Sequence, residues 1–344
     1  VTAEAFGDDH LHICSLRRIA RMAGTLFITR RLPQEALDLA RARATVRLNE
    51  PDRRLEKAEL AARLGDVEAL VCLLTDTIDD SVLARAPRLR VVANVAVGFD
   101  NIDVAAATRR KIVVTNTPGV LTDTTADFTW ALLLATARRV AEADAYTRAG
   151  RFTEWGLLLL LGGDVHGRTL GILGLGRIGQ AVARRARGFD MRLLYHDAVR
   201  NRAAEAELGV EYVEKARLLA EADFVTLHVN LSRETRHYIG EAELRQMKPT
   251  AYLINAARGP VVDEAALVRA LKEGWIAGAG LDVYEEEPRV HPGLLECPTA
   301  VLAPHIASAS RATRTRMALM AVENCLAVLG GGRPANPVNP EVLS

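Results

Sequence analysis

Residues 169–197, TLGILGLGRIGQAVARRARGFDMRLLYHD, decide the fold. A short apolar run with Leu170, Ile172 and Leu173 leads into Gly174-Leu175-Gly176-Arg177-Ile178-Gly179. A helical pattern follows, and a second apolar run with Met191, Leu193 and Leu194 stops at Asp197. A lone GxGxxG is weak evidence, because glycine-rich turns are common. Placed between a strand and a helix, with an acidic residue ending the next strand, it becomes a dinucleotide fingerprint. Gly174 permits the tight turn, Gly176 lets the backbone approach a pyrophosphate, and Gly179 lets the helix pack closely. Backbone N–H groups of Leu175, Arg177 and Ile178, with the helix dipole, then face the phosphates. Asp197 would accept hydrogen bonds from the adenine ribose and repel a 2′-phosphate, which favours NAD(H). Ala198 and Val199 follow it on the adenosine side. Arg200 and Arg202 come next and can attract that phosphate, so some use of NADP(H) is also expected.

The chain has 344 residues, enough for two domains each with its own core. Its apolar content of 49% and charged content of 25% place it among globular proteins rather than disordered or fibrous ones. A net charge of +1, without a Lys/Arg patch interleaved with aromatics, argues against nucleic acid as the main partner. Cys14, Cys72, Cys297 and Cys325 show neither CxxC nor CxxxC spacing. They suggest no disulfide framework or zinc site, and they suit a reducing cytoplasm. No unbroken apolar run, the leucine run 157–161 included, exceeds six residues, far too short to span a membrane. Residues 1–24 lack a long apolar core and a small-residue cleavage site, so they do not read as a secretory signal. SLRRIAR would suit a transit peptide, but Glu4, Asp8 and Asp9 count against one. An unstructured extension over residues 1–24 is the expectation.

From Thr25 strand-like and helix-like segments alternate, which implies parallel sheets with crossover connections. Residues 26–29, 67–74, 90–95 and 112–116 read as strands, with helices over 33–43 and 79–86. Thr117-Pro118-Gly119 breaks this first series, and one long helical pattern then covers residues 124–148. The fingerprint thus opens in mid-chain, and a separate α/β domain must precede it. The last helical pattern, Arg311–Leu329, has no strand after it and is expected to return to the first domain. Two crossings of the chain would set a small-molecule cleft between the domains.

Three strand ends downstream deliver charged groups. Residues 251–255 stop at Ala256-Ala257-Arg258, residues 277–283 run into Tyr284-Glu285-Glu286-Glu287, and residues 300–303 lead to Pro304-His305. Ligands of open parallel sheets bind outside the carboxyl ends of strands, so these groups can converge. Arg258 can hold a carboxylate bidentately and polarise a neighbouring carbonyl. His305 is the candidate proton donor to a developing alkoxide and the acceptor in reverse. A glutamate bonded to its ring would stabilise the imidazolium and fix the tautomer, although spacing does not choose among the three. His228, after the apolar run Phe224–Leu227, is the rival histidine and is expected nearer the adenosine half. Hydride from a nicotinamide and a proton from His305 would turn a 2-oxo acid into a 2-hydroxy acid without a metal.

Six stretches in order match one family: VAVGFDNID (95–103), NTPGVLTDTTAD (116–127), GILGLGRIGQAVA (171–183), MKPTAYLINAARGPVVDEAAL (247–267), AGAGLDVYEEEP (277–288) and APHIASAS (303–310). From residue 25 onward the chain resembles the D-isomer-specific 2-hydroxyacid dehydrogenases, and within them the glyoxylate/hydroxypyruvate reductase branch. The resemblance implies a Rossmann-type, doubly wound parallel-sheet cofactor domain over 120–305. It also implies a discontinuous flavodoxin-like α/β substrate domain over 25–119 and 306–335, leaving 336–344 as a tail. It assigns Glu287 as the partner of His305 and makes Asp282 a contact of the nicotinamide carboxamide. Backbone N–H groups of Val97 and Gly98 would hold the substrate carboxylate beside Arg258. Thr125 would sit near the cofactor, with Ala256, Ala257 and Ala307 on the nicotinamide side. Trp155 would reach the active site of a partner subunit, which implies a homodimer. Asn230 stands where the family commonly has proline, Ala307 where glycine is frequent, and residues 157–161 lack the family's usual polar variety.

The implied activity is NAD(P)H-dependent reduction of glyoxylate and hydroxypyruvate. Close alternatives are D-lactate or D-3-phosphoglycerate dehydrogenases, although the chain stops without the regulatory domain many phosphoglycerate enzymes carry. A dinucleotide-sensing protein like the family's corepressor relatives is the alternative of a different class.

Overall fold

The computed structural model describes residues 24–344, so residues 1–23 and the extension expected there lie outside it. The chain forms two compact units. One runs through Thr117 and resumes at Ala318–Ser344, and the other is Pro118–Met317.

The first unit is a five-stranded parallel sheet: β1 (Thr25–Ile28), β2 (Thr45–Leu48), β3 (Ala69–Cys72), β4 (Val91–Asn94) and β5 (Val113–Thr115). Its order, β2-β1-β3-β4-β5, is the flavodoxin-like arrangement. Alternation along the strands serves two cores, as a sheet covered on both faces requires. Leu26, Ile28, Val71, Val91 and Ala93 face the helix Gln34–Arg43 and the far half of Arg311–Leu329. Phe27, Leu70, Val92 and Val114 face Leu60, Val82 and Ala106.

The second unit carries seven parallel strands: β6 (Thr169–Leu173), β7 (Arg192–His196), β8 (Glu211–Tyr212), β9 (Phe224–Leu227), β10 (Tyr252–Asn255), β11 (Gly278–Leu281) and β12 (Ala300–Leu302). The order β12-β11-β10-β9-β6-β7-β8 reverses direction between β6 and β9. It is a doubly wound Rossmann sheet with its switch point at that pair. The helix Thr122–Ala137 covers β11 closely enough to require glycine, since a Cβ on Gly280 would lie 2.7 Å from Thr136 Oγ1.

Three expectations are corrected. The pattern over 124–148 is two helices, Thr122–Ala137 and Val140–Arg148, because Arg139 turns left-handed at φ 53°. The Ala137 carbonyl freed there accepts from Gly163 N–H at 2.9 Å. Residues 336–344 are not a tail: Val338 N–H donates to Val114 O at 2.7 Å, and Asn339 Oδ1 accepts from Val114 N–H at 2.7 Å. The switch between units falls at Met317 inside the last helix rather than at 305, because Ala318 onward packs in the first unit's core. Among the described residues no helix is long and apolar enough to cross a membrane.

Candidate active site

At the switch point β6 runs out into Gly174, which needs glycine twice over. Its φ is +94°, and a Cβ would come within 2.8 Å of the His228 backbone. Gly179 is needed for packing, since its Cβ would sit 2.2 Å from Gly174 O. Gly176 differs. Its φ of −71° suits any residue, and a Cβ there would meet nothing within 4 Å. Sterics do not demand glycine at 176, and its bare backbone leaves room for a ligand to approach closely. Leu175 is buried while Gly176 and Arg177 are exposed and Ile178 is half-buried at the start of the helix Arg177–Ala186. That helix end presents N–H groups without a side-chain cap, as an anion site should. Asp197 reaches back to this turn, its Oδ2 accepting from Leu175 N–H at 2.6 Å. Ala198 and Val199 beyond it are exposed. These residues fit a dinucleotide.

The ends of β10, β11 and β12 lie side by side in the sheet. After β10, Asn255 shapes the Ala256-Ala257-Arg258 loop: its Oδ1 accepts from Ala257 N–H, and its Nδ2 donates to Arg258 O, both at 3.0 Å. Gly259 then passes so close to Tyr284 that a Cβ would overlap its carbonyl at 1.8 Å. This approach ties the Arg258 loop to the glutamate loop, and Arg258 Nη1 donates to Ala257 O at 2.8 Å. After β12, His305 Nδ1 pairs with Glu287 Oε2 at 2.8 Å, and Glu287 Oε1 accepts from Tyr284 N–H at 3.0 Å. Burial pushes the Glu287 carboxyl up. The His305 hydrogen bond and charge, the Tyr284 N–H and the nearby Arg258 charge outweigh it and hold the group below its ordinary value. Both side chains of the pair remain about a quarter exposed, at 26% and 25%.

His305 itself sits at φ 54°, an uncommon conformation for a non-glycine residue. Asp282 enforces it. The Asp282 carbonyl accepts from His305 N–H at 2.8 Å, and its two carboxylate oxygens accept from Ile306 and Ala307 N–H at 2.7 Å each. Asp282 is wholly buried, and in this conformation it braces the histidine turn. Burial raises its carboxyl above the ordinary range against those two N–H groups.

His228, the rival histidine, is not equivalent. Part of its surface is accessible, yet desolvation pushes its imidazole down to about 3, and its Nε2 pairs with Thr226 Oγ1 at 2.9 Å. Held neutral near pH 7, this ring does not supply the imidazolium acid that the role given to His305 requires. Of the other two glutamates, Glu286 is exposed, whereas Glu285 pairs with Arg236 at 3.0 Å and His237 at 2.5 Å. In the first unit, β4 ends in a loop carrying half-buried Val97 and Gly98, whose N–H groups find no acceptor among the described residues. Among the described residues no group of three or more His, Cys, Asp or Glu is placed to hold a metal ion.

Residues 130–307 match the model of the D-isomer specific 2-hydroxyacid dehydrogenase NAD binding domain. A glyoxylate reductase of Korarchaeum cryptofilum is 55% identical, over 94% of this chain and 98% of its own length. One from Thermococcus gammatolerans is 52% identical over the same shares. The chain belongs to the D-isomer-specific 2-hydroxyacid dehydrogenases. A solved member, the NADPH-dependent glyoxylate/hydroxypyruvate reductase of Sinorhizobium meliloti in complex with NADP and malonate, superposes with a TM-score of 0.84. It is 36% identical over 92% of this chain and 97% of its own.

As in any dehydrogenase of this family, the second unit is a nicotinamide-dinucleotide domain. Thr125 is buried on the helix Thr122–Ala137, and its carbonyl accepts from Thr129 Oγ1 at 2.9 Å. Ala307 is buried against Asp282. Trp155 is 76% exposed, beside Leu157, Leu158 and Leu161, which are also exposed. Asn230 is exposed, and its carbonyl accepts from Thr235 Oγ1 at 2.6 Å. Asn255 and the bracing role of Asp282 went unread in the sequence. Asn255 ends a buried strand as a polar residue and is itself buried, and that conjunction was the available signal.

Proposed function

We propose that this dehydrogenase reduces glyoxylate to glycolate, and hydroxypyruvate to D-glycerate, with NADH preferred over NADPH. The observation that carries the reading is the His305–Glu287 pair at 2.8 Å, set beside Arg258 at neighbouring strand ends. The bound nicotinamide would supply hydride to the carbonyl carbon of the oxo acid. His305 uses Nδ1 on Glu287, which leaves Nε2 to hold a proton and deliver it to the carbonyl oxygen. The Glu287 carboxylate balances the charge of the imidazolium that donates. Arg258 engages the substrate carboxylate and draws electron density from the carbonyl. The N–H groups of Val97 and Gly98 hold the same carboxylate.

The turn of Gly174, Gly176 and Gly179, with the N–H groups of Leu175, Arg177 and Ile178, receives the pyrophosphate. Asp197, Ala198 and Val199 take the adenosine end, and Thr125, Ala256, Ala257 and Ala307 border the nicotinamide. Arg200 supports the NADH preference, because Glu205 already clamps its Nε and Nη2 at 2.8 Å each. Exposed Trp155 and its leucine neighbours support a homodimer in which Trp155 meets the partner's substrate site. Buried, unpaired Cys72, Cys297 and Cys325 support residence in the cytoplasm.

The test is an initial-rate panel of glyoxylate, hydroxypyruvate and pyruvate with each reduced cofactor, with sedimentation velocity on the same sample. Glyoxylate turnover by a dimer, with NADH ahead, is the expected result. No oxidation of either cofactor with any oxo acid overturns the enzyme reading. A kcat/KM at least about tenfold higher with NADPH reverses the cofactor preference.

A further inference from the structure

Three consecutive carbonyls in the loop after β4 are each pinned. Ala96 O accepts from Thr117 N–H at 2.9 Å, Val97 O from Asn116 Nδ2 at 2.7 Å, and Gly98 O from Asn94 Nδ2 at 2.8 Å. A trans peptide is planar, with its N–H directed opposite to its C=O. The three bonds therefore also fix the directions of the N–H groups of Val97, Gly98 and Phe99. Glycine at 98 makes that anchoring necessary, because a peptide beside glycine has a wide choice of backbone angles and rotates readily.

The anchors are themselves held. Asn94 closes β4 and is fully buried, and its Nδ2 donates both to Gly98 O and to Asn101 Oδ1 at 2.9 Å. Asn101 Nδ2 donates to Leu73 O at 3.1 Å and Asp76 O at 3.0 Å. Asp76, buried behind it, accepts from Leu73 N–H at 2.8 Å and from the Thr29 hydroxyl at 2.5 Å. Asn116 follows β5, the neighbour of β4, so both amides arrive from adjacent strand ends. A buried amide network of this kind fixes one geometry when every donor is used.

We propose that Asn116 and Asn94 are positioning residues for the reduction: by pinning the Val97 and Gly98 carbonyls they aim the N–H groups of Gly98 and Phe99 at the oxo acid's carboxylate. The proposal rests on the reading that this loop grips the carboxylate, and it adds Phe99 N–H as a further donor. Neither asparagine touches the substrate. Each acts through a peptide plane.

The experiment compares Asn116→Ala, Asn116→Asp and Asn94→Ser with the wild-type enzyme. Readouts are KM and kcat for glyoxylate, inhibition by oxalate as a carboxylate probe, and NADH affinity by fluorescence. For the Asn116 variants KM and the oxalate inhibition constant should rise together by about tenfold, the worth of one orienting hydrogen bond, while NADH affinity holds. Asn116→Asp matches asparagine in shape but turns an acceptor toward Val97 O, so it should be at least as damaging as alanine. A role in packing alone gives the opposite ranking, and that ranking overturns the proposal. Oxalate added to the glycine-15N-labelled wild-type enzyme with NADH should shift the Gly98 amide. No shift refutes the carboxylate grip itself, whereas a shift with unchanged oxalate affinity in both Asn116 variants refutes only the positioning role.

Discussion

Gly176→Ala separates what the glycine turn does for folding from what it does for binding. Position 176 has φ −71° and ψ −164°, and a Cβ there meets no protein atom within 4 Å. Alanine shortens the list of unfolded conformations, worth about 0.4–1 kcal/mol in favour of the fold. It is also a poorer N-cap than glycine for the helix Arg177–Ala186, at a cost of several tenths of a kcal/mol up to about 1. The two nearly cancel, so the melting temperature should move by no more than about 3 °C. Binding does not share that cancellation. A methyl group facing the phosphates would lift them off one N–H donor, a charge-assisted bond worth about 1.5–3 kcal/mol. The NADH dissociation constant should therefore rise by about 10- to 100-fold. Gly179→Ala is the contrast: its Cβ would meet Gly174 O at 2.2 Å and Ile172 Cγ2 at 3.3 Å. Such overpacking should lower stability by about 1–3 kcal/mol and show in the melt before any binding assay. Thermal unfolding and fluorescence titration on both variants check the pair. Gly176→Ala binding NADH within about threefold of wild type would refute the argument that the ligand, not the fold, selects glycine there.

His305→Gln should lower kcat by about a hundredfold or more with NADH binding retained, as expected for loss of a general acid; wild-type kcat would remove His305 from that role. Arg258→Lys should raise KM for the oxo acid, because an ammonium cannot reproduce the planar fork. Unchanged KM and kcat would mean the carboxylate is held elsewhere. His228 makes a pH prediction. Its folded value of about 3 lies below the ordinary 6.5, so the folded state binds fewer protons than the unfolded chain. The stability this contributes is complete above about pH 6.5 and is lost as pH falls toward 3. Between about pH 7.5 and 5 wild type should lose on the order of 1–2 kcal/mol through this group, the lower end allowing for its partial exposure. His228→Gln should flatten that part of the urea-unfolding profile, and an unchanged slope would exclude the assignment.

The second unit was legible because its signals are local. Strand, turn, helix and Asp197 fall within one stretch, and the buried parallel strands read as uninterrupted apolar runs. The elements that escaped have no such pattern. Thr45–Leu48 is an edge strand carrying Arg47, which pairs outward with Asp66 at 2.5 Å, and Glu211–Tyr212 is only two residues long. The break at Arg139 leaves no trace in the hydrophobic period, and the group that takes up the freed Ala137 carbonyl, Gly163 N–H, lies far along the chain. Within the site, residue types and strand ends pointed to Arg258 and His305, but spacing could not choose Glu287 from its two neighbours. The family resemblance made that choice, and the 2.8 Å bond agrees with it. Asn94, Asn116, Asn101 and Asn255 were invisible because each acts through the backbone of another segment, and polar residues at strand ends carry no periodicity of their own.

The helix Arg311–Leu329 has a consequence for the order of events during synthesis. The core beneath β1, β3 and β4 is completed by Ala321, Val322, Cys325 and Leu329 from this helix, and Arg90 Nη2 donates to Val328 O at 2.7 Å. Val114 waits likewise for Val338 and Asn339. A ribosome makes β1–β5 first, yet their core stays open until more than two hundred further residues have emerged. Pro118–Met317, translated second, is continuous and has all its own strands in hand. The unit that is made first is thus finished last, and in the interval its apolar sheet face depends on the rest of the chain arriving or on a chaperone.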